Sequence, residues 1–185
     1  MAWHALSRSI ENCRRCPLHA TRQHVVIYRG GPRPKVLFVG EAPGAEEDAV
    51  GIPFVGRSGR RLDDGISSLG LHDGEFGVLN LIKCRPPGNR FDRASAAACR
   101  PFLDRQVALL APEVIVTLGA HALAQFDPSS PPVTIAAGRP RRSNGTLLFP
   151  LLHPAAALHA PKYRTRWADD LGRLRALLEA RAAHR

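Results

Sequence analysis

The chain has 185 residues, 44% of them hydrophobic and 23% charged, a composition that excludes a disordered chain and a coiled coil. Its longest apolar runs are too short to cross a bilayer, and no apolar signal core follows the N-terminus, so we expect a cytoplasmic protein that does not enter a membrane. Lys and Arg number 26 against 16 Asp and Glu, and the resulting formal charge of +10 fits a polyanionic partner such as nucleic acid and a merely solvated basic surface about equally well.

Apolar runs and helical patterns alternate along the chain, after a first helical pattern at residues 2–11. Four continuous apolar runs are typical of buried parallel strands, at residues 35–39, 78–82, 114–118 and 147–151. Helical patterns separate these runs and close the chain, at residues 59–69, 93–111, 120–126 and 164–185. Pro101 is expected to break the pattern at 93–111 or to open a new helix there.

This alternation predicts an α/β fold, a single-domain α/β/α sandwich with a central four-stranded parallel sheet. The domain would span residues 1–185, with an N-terminal cysteine knuckle in about residues 1–30. In such sheets ligands bind beyond the carboxyl ends of the strands. We therefore expect the loops that follow the four runs to share one edge, where the binding site lies.

Four cysteines suggest a metal site. Cys13 and Cys16 have the C-x2-C spacing of a metal-binding knuckle, and Cys84 and Cys99 supply two further thiols. Disulfides are a poor explanation in a reducing compartment, whereas four thiolates suit either zinc or an iron–sulfur cluster. The remaining alternative is a set of buried, unreactive thiols.

Five motifs, in the same order along the chain, resemble those of the family 4 uracil-DNA glycosylases, the iron–sulfur branch of their superfamily. The motifs are Gly40-Glu41-Ala42-Pro43-Gly44 with Glu47-Asp48, Gly51-Ile52-Pro53-Phe54-Val55-Gly56, Asn80 with Lys83-Cys84-Arg85-Pro86-Pro87-Gly88-Asn89, Cys99-Arg100-Pro101, and His153-Pro154-Ala155-Ala156-Ala157-Leu158. The resemblance covers residues 13–158. It implies a four-stranded α/β/α sandwich that flips deoxyuridine out of DNA and hydrolyses its N-glycosidic bond to release uracil, in base excision repair.

The resemblance also implies a uracil pocket. Phe54 would stack on the base, and Asn80 would read its O4 and N3–H, because an amide can donate and accept at once. His153 would donate to O2, where charge develops as the bond breaks.

The rest of that pocket would come from the first motif. Gly40 and Ala42 would line it with their backbone, and Glu47 would form part of its wall. Glu41 would position water or stabilise the sugar cation. An acidic first turn favoured by a helix dipole is the alternative reading of residues 46–48.

A structural [4Fe–4S] cluster is implied at Cys13, Cys16, Cys84 and Cys99. The partner would be uracil-containing DNA, bound by a monomer. Phosphate contacts would come from Arg57, Arg85 and Arg90, and from the run 139–142, while Leu158 would wedge into the gap left by the flipped base.

Two other functions stay open. A related glycosylase could act on a broader set of deaminated bases or trap the abasic sugar covalently. The broader branch usually lacks an acid at the position of Glu41, and the covalent branch carries a basic insertion where Cys84 here leads directly into Arg85. A non-catalytic, metal-containing nucleic-acid-binding module would keep the cysteines but would need neither Asn80 nor His153.

Overall fold

The structure, a computed structural model, describes residues 2–184. Its strands are β1 (Arg29–Gly30), β2 (Val36–Gly40), β3 (Phe76–Asn80), β4 (Val114–Leu118), β5 (Arg141–Ser143) and β6 (Thr146–Leu151). Its α-helices are α1 (Ala2–Glu11), α2 (Ala45–Val50), α3 (Arg57–Ser68), α4 (Arg93–Leu110), α5 (Ala120–Phe126), α6 (Val133–Ala136), α7 (Pro154–His159) and α8 (Pro161–Ala183). The predicted domain includes Met1 and Arg185, which lie outside the described residues.

The strands form one sheet in the order β1-β3-β2-β4-β6-β5. Strands β3, β2, β4 and β6 run parallel, and β1 and β5 add an antiparallel strand at either edge. The prediction of an α/β fold is confirmed. The prediction of a four-stranded sheet is not, because four parallel strands form the centre of the sheet but two edge strands bring its total to six. The two edge strands have only two and three residues and no apolar run, so no hydrophobic pattern marks them.

Helices cover both faces of the sheet. On one face, Leu62 of α3 and Trp167 and Leu171 of α8 pack against strand residues such as Phe38 and Val116. On the other face, Ala96, Leu103 and Leu110 of α4 pack against Leu37, Leu79 and Ile115. Helix α1 lies outside α4, where its Leu6 and Ile10 contact Phe102. The buried strands are apolar on both sides for this reason.

Helix α4 continues through Pro101 without a break, contrary to the expectation from the sequence. Proline removes one helical hydrogen bond, which leaves the carbonyl of Ala97 without its donor. Both Pro101 and Ala97 are exposed, so water can satisfy that carbonyl, while the neighbouring Phe102 and Leu103 anchor the helix in the core.

Of the other elements, some have their predicted bounds and some do not. Helices α1 and α5 and strand β4 have the bounds expected from the sequence. Strand β3 ends at Asn80, two residues earlier than the apolar run. The short helices α6 and α7 were not predicted, because four to six residues carry too little periodicity to be recognised. Helix α2 has Glu46, Glu47 and Asp48 in its first turn, which agrees with the alternative interpretation of residues 46–48 as an acidic first turn favoured by the helix dipole. Among residues 2–184, no helix combines the length and apolarity that a membrane crossing demands.

Candidate active site

A cavity of about 370 Å³ opens at the carboxyl edge of the parallel strands. It is bordered by the segments after β2, β3 and β6, as expected for a parallel sheet. The lining residues are Glu41, Ala42, Pro43, Gly44, Glu47, Phe54, Ser58, Asn80, Asn89, His153 and Ala155. Six residues predicted for a uracil pocket are therefore brought together, although they come from widely separated segments.

Asn80 is the last residue of β3 and is paired in register with Gly40 of β2. Its side chain is 1% exposed, and its Oδ1 has no hydrogen-bond partner within residues 2–184. The backbone oxygen of Asn80 accepts a hydrogen bond from Lys83 Nζ at 2.5 Å. A buried amide oxygen without a partner is costly unless a ligand satisfies it, so this oxygen indicates a binding site.

Phe54 forms an apolar wall beside Asn80. Its backbone adopts a positive φ of 57°, which is strained for an aromatic residue. Two glycines make room for it: a Cβ on Gly40 would lie 2.4 Å from the Phe54 ring, and one on Gly59 would lie 1.9 Å from the Phe54 backbone oxygen. The ring centre lies 5.9 Å from that of His153. Gly40 does not line the cavity itself, but its missing side chain leaves space for the ring.

Glu47 holds the strained loop in place. Its Oε1 accepts hydrogen bonds from the backbone N–H groups of Val55 and Gly56, at 2.9 and 2.8 Å. Its Oε2 accepts one from Gly44 at 3.0 Å, across the first turn of α2. The carboxylate is thus engaged by three backbone donors, which fixes the segment that follows Phe54.

His153 caps the N-terminus of α7. Its Nδ1 accepts a hydrogen bond from the backbone N–H of Ala155 at 3.2 Å. Since Nδ1 accepts, the neutral ring carries its proton on Nε2, which is free to donate. Burial lowers the pKa of His153 below its ordinary range, and the nearby Glu41 and Glu47 only partly oppose that shift. The ring is therefore neutral near pH 7.

Glu41 lies at the rim of the cavity and is paired outside it. Its Oε2 accepts a hydrogen bond from His121 Nδ1 at 2.6 Å. The His121 ring in turn stacks on Phe91, with ring centres 3.9 Å apart and planes within 10°. The carboxyl group is thus held by a histidine from the first turn of α5, which follows β4.

The four cysteines border a second, smaller cavity together with Arg22 and Lys83. Cys84 and Cys99 are buried, and burial raises the pKa of both thiols. Arg22 Nη1 donates to Cys84 Sγ at 3.3 Å.

The ammonium group of Lys83 is 1% exposed, and burial lowers its pKa to about 7 against the opposing effect of Cys99 and Cys84. No three His, Cys, Asp or Glu side chains in residues 2–184 form a ready-made metal group. Four thiols and three basic side chains, Arg15, Arg22 and Lys83, nevertheless meet here, which is the donor set and counter-charge that an anionic thiolate cluster needs.

None of the residues predicted to contact DNA lines the first cavity. Within the run 139–142, Arg141 Nε pairs with Asp127 Oδ2 at 2.8 Å, and Arg139 lines a different pocket with Arg166 and Asp170. Arg57 begins α3 next to Ser58, and Arg90 follows Asn89. Arg85 Nε donates to Asn89 Oδ1 at 2.9 Å. Leu158 is half-buried on α7, whereas its neighbour Ala157 is buried in the core.

Three residues near the site were not singled out from the sequence. Ser58 and Asn89 line the cavity, and His121 binds Glu41. Asn89 belongs to a motif that carries the family resemblance, so its position could have indicated it. No local pattern marks His121, because its contact with Glu41 joins residues 80 positions apart.

The sequence of this chain is similar to those of known uracil-DNA glycosylases. A model of the Uracil DNA glycosylase superfamily matches residues 27–172. The chain is 35% identical over 182 residues to the Type-4 uracil-DNA glycosylase of Sulfurisphaera tokodaii, covering 93% of this chain and 83% of that relative. It is 39% identical over 156 residues to the enzyme of the same name from Thermotoga maritima, covering 83% and 81%. For the one from Pyrobaculum aerophilum, the identity is 37% over 185 residues, covering 90% and 89%.

Proposed function

This chain belongs to the uracil DNA glycosylase superfamily, and we propose that it is a uracil-DNA glycosylase, a DNA-repair enzyme that hydrolyses the bond between uracil and deoxyribose. The observation that carries this proposal is the unpartnered Oδ1 of Asn80, buried beside Phe54 and His153 in one cavity. A base inside a duplex cannot reach such a cavity, so the nucleotide must be flipped out of the helix.

Asn80 and Phe54 select the base. Asn80 Oδ1 accepts the N3–H of uracil while its Nδ2 donates to O4. Cytosine presents a bare N3 and an amino group at those positions, so both contacts become repulsive. Phe54 stacks on the base, a contact worth about 1–3 kcal/mol.

His153 stabilises the leaving group. As the C1′–N1 bond breaks, its electron pair moves onto uracil, and negative charge develops on O2. The neutral ring of His153 donates from Nε2 to that oxygen, because Nδ1 is occupied by Ala155 N–H. The ring needs no proton transfer for this role, since it acts as a fixed hydrogen-bond donor.

Glu41 acts on the sugar side of the reaction. Its carboxylate stabilises the oxocarbenium-like sugar and orients the water whose oxygen bonds to C1′. The proton that this water loses ends on the uracil anion, so the products are neutral uracil and an abasic sugar. Ala42 offers no carboxylate, so its contribution is its backbone. Glu47 is fully used by three backbone N–H groups, so it shapes the pocket and does not serve as a base.

The test is incubation with an oligonucleotide that contains one uracil, followed by alkali, which cleaves at an abasic site. We expect cleavage at the uracil position and none in a thymine control. His153→Ala should lower the rate by about 10²- to 10³-fold while leaving DNA binding intact, and Asn80→Ala should lose preference for uracil. Absence of cleavage by the wild-type protein would refute the proposal.

The four cysteines hold a structural [4Fe–4S] cluster. When bound, this group supplies Fe–S bonds that tie the N-terminal segment of Cys13 and Cys16 to the loop of Cys84 and the helix of Cys99. Support comes from the shared cavity and from the counter-charge of Arg22 and Lys83. The loop after Cys84 carries Arg85 and Arg90, so ordering it presents these residues to DNA.

Iron and sulfide analysis of the purified protein, with its visible absorption spectrum, tests this cofactor. We expect about four irons per chain and a brown colour. Cys84→Ala should lose iron, thermal stability and DNA affinity together. A colourless protein that contains zinc would contradict the iron–sulfur assignment, and a Cys84→Ala variant with full stability and DNA affinity would contradict the structural role.

A further inference from the structure

The carboxylate of Glu41 is held from one side only. Its Oε2 accepts from His121 Nδ1 at 2.6 Å, and its Oε1 has no hydrogen-bond partner among residues 2–184. Glu41 also borders the cavity that contains Asn80 and His153. The side chain is 32% exposed, so without His121 it would be free to turn into solvent.

His121 is itself held in place. It lies in the first turn of α5, directly after the buried strand β4. Its ring stacks almost parallel on Phe91, with ring centres 3.9 Å apart. Phe91 packs against the buried core between α4 and the sheet. This packing holds the Phe91 ring, and with it the stacked His121 ring, in place. Segments that follow three different strands therefore meet at one carboxylate.

We propose that His121, clamped by Phe91, is a positioning residue that fixes the Glu41 carboxylate so that Oε1 remains available to the reacting sugar and water. This inference rests on the proposed role of Glu41. A carboxylate can only accept, so Nδ1 of His121 carries the proton in this contact. The Glu41 carboxylate is then already oriented before substrate arrives, which removes the cost of ordering it during the reaction.

A positioning role differs from an ordinary surface contact in what it changes. Exposed ion pairs contribute little to folding, and His121 is 45% exposed, so substitutions there should leave the protein folded. The effect should instead fall on the rate of bond cleavage at saturating enzyme. The enzyme concentration that gives half of that rate reports DNA binding, and it should not change.

The experiment compares single-turnover uracil release for wild type, His121→Ala, His121→Asn, Glu41→Gln and the double variant Glu41→Gln/His121→Ala. We expect His121→Ala to lower the saturating rate by about 10- to 100-fold. His121→Asn should recover part of that loss, because its Nδ2 occupies the place of Nδ1 but the side chain has no ring to stack on Phe91. The double variant should be no slower than Glu41→Gln, since there is no carboxylate left to position.

Two further variants sharpen the result. Phe91→Leu keeps an apolar side chain but removes the stacked ring, so it should lower the rate in the same direction and have no effect in the Glu41→Gln background. His4→Ala, at an exposed histidine of α1, is the matched control and should keep the wild-type rate.

The outcomes separate the two proposals. A wild-type rate for Glu41→Gln would refute the proposed role of Glu41. A slow Glu41→Gln enzyme with a His121→Ala variant at the wild-type rate would refute the positioning role alone. An equal loss from His121→Ala with and without the Glu41 carboxylate would refute it as well.

Discussion

Burial of the His153 ring makes the stability of the protein depend on pH. Burial lowers its pKa in the folded protein below the value of about 6.5 that the unfolded chain has. Between those two pKa values the unfolded state binds a proton and the folded state does not, so stability falls as the pH drops below about 6.5.

Urea unfolding between about pH 5 and 8 measures this effect for wild type and His153→Asn, a substitution that keeps a helix-capping side chain. We expect the two stability curves to run parallel above the unfolded pKa. Below it, wild type should lose stability more steeply. Equal slopes at acidic pH would mean that burial of His153 does not set its protonation.

Glu47 is expected to matter through its hydrogen bonds and not through proton transfer. Glu47→Gln replaces one acceptor oxygen by an NH₂ group, which would face a backbone donor of Gly44 or of Val55 and Gly56. We expect a loss of about 1–3 kcal/mol of unfolding free energy, measured by urea titration. The matched control is Glu46→Gln at the exposed neighbour, which should change stability by less than about 0.5 kcal/mol. An equal effect of both variants would contradict the bracing role.

At the scale of elements, strand β2 and the Phe54 loop approach so closely that only glycine fits between them. A Cβ at position 40 would lie 2.4 Å from the Phe54 ring and 2.5 Å from Asn80 Oδ1. Gly40→Ala should therefore displace both groups that are proposed to contact uracil, Phe54 and Asn80, with an overpacking cost of about 1–3 kcal/mol, and weaken the binding of free uracil.

Calorimetric titration with uracil tests this expectation. Gly172→Ala is the control, because a Cβ there meets nothing within 4 Å on helix α8. That variant should bind uracil normally and gain about 0.5–1 kcal/mol of stability. Unchanged uracil affinity in Gly40→Ala would show that the Phe54 loop can move away from the new Cβ without a loss of binding.

At the scale of the whole molecule, the net charge is +10, but the arginines that supply it are not all free to contact DNA. Several arginines are already paired with carboxylates, such as Arg175 with Glu179 at 2.8 Å on α8. Arg57 and Arg90 have no carboxylate partner among residues 2–184 and are the sequence neighbours of Ser58 and Asn89, which line the proposed uracil pocket. We therefore expect these two arginines to bind phosphates.

DNA affinity measured across a salt series distinguishes these two groups. Arg90→Ala should reduce the slope of log K against log salt by about 0.9, the value for one lost phosphate contact. Arg175→Ala should leave the slope unchanged. If both variants changed the slope equally, the positive charge would attract DNA over the whole surface and not specifically at the mouth of the pocket.

Much of the fold could be predicted because buried elements have a recognisable pattern of apolar residues in the sequence. Strands covered on both faces read as apolar runs, and α8 shows Trp167, Leu171 and Leu174 at helical spacing. Edge strands β1 and β5 and the short helix α2 have no such pattern, since few of their residues are buried. Pro101 misled the prediction because the exposure of the helix face, which decides whether proline is tolerated, is a tertiary property.

The sequence by itself determined the α/β class, the residues that could read uracil and the four cysteines, because these follow from residue type, spacing and motif. Only the tertiary structure decided how those residues are used. One backbone N–H donates to His153 Nδ1, and three backbone N–H groups donate to the Glu47 carboxylate. His121 donates to Glu41. Such contacts depend on which distant segments the sheet brings to one edge, and hydrogen-bond partners 80 residues apart leave no local pattern in the chain.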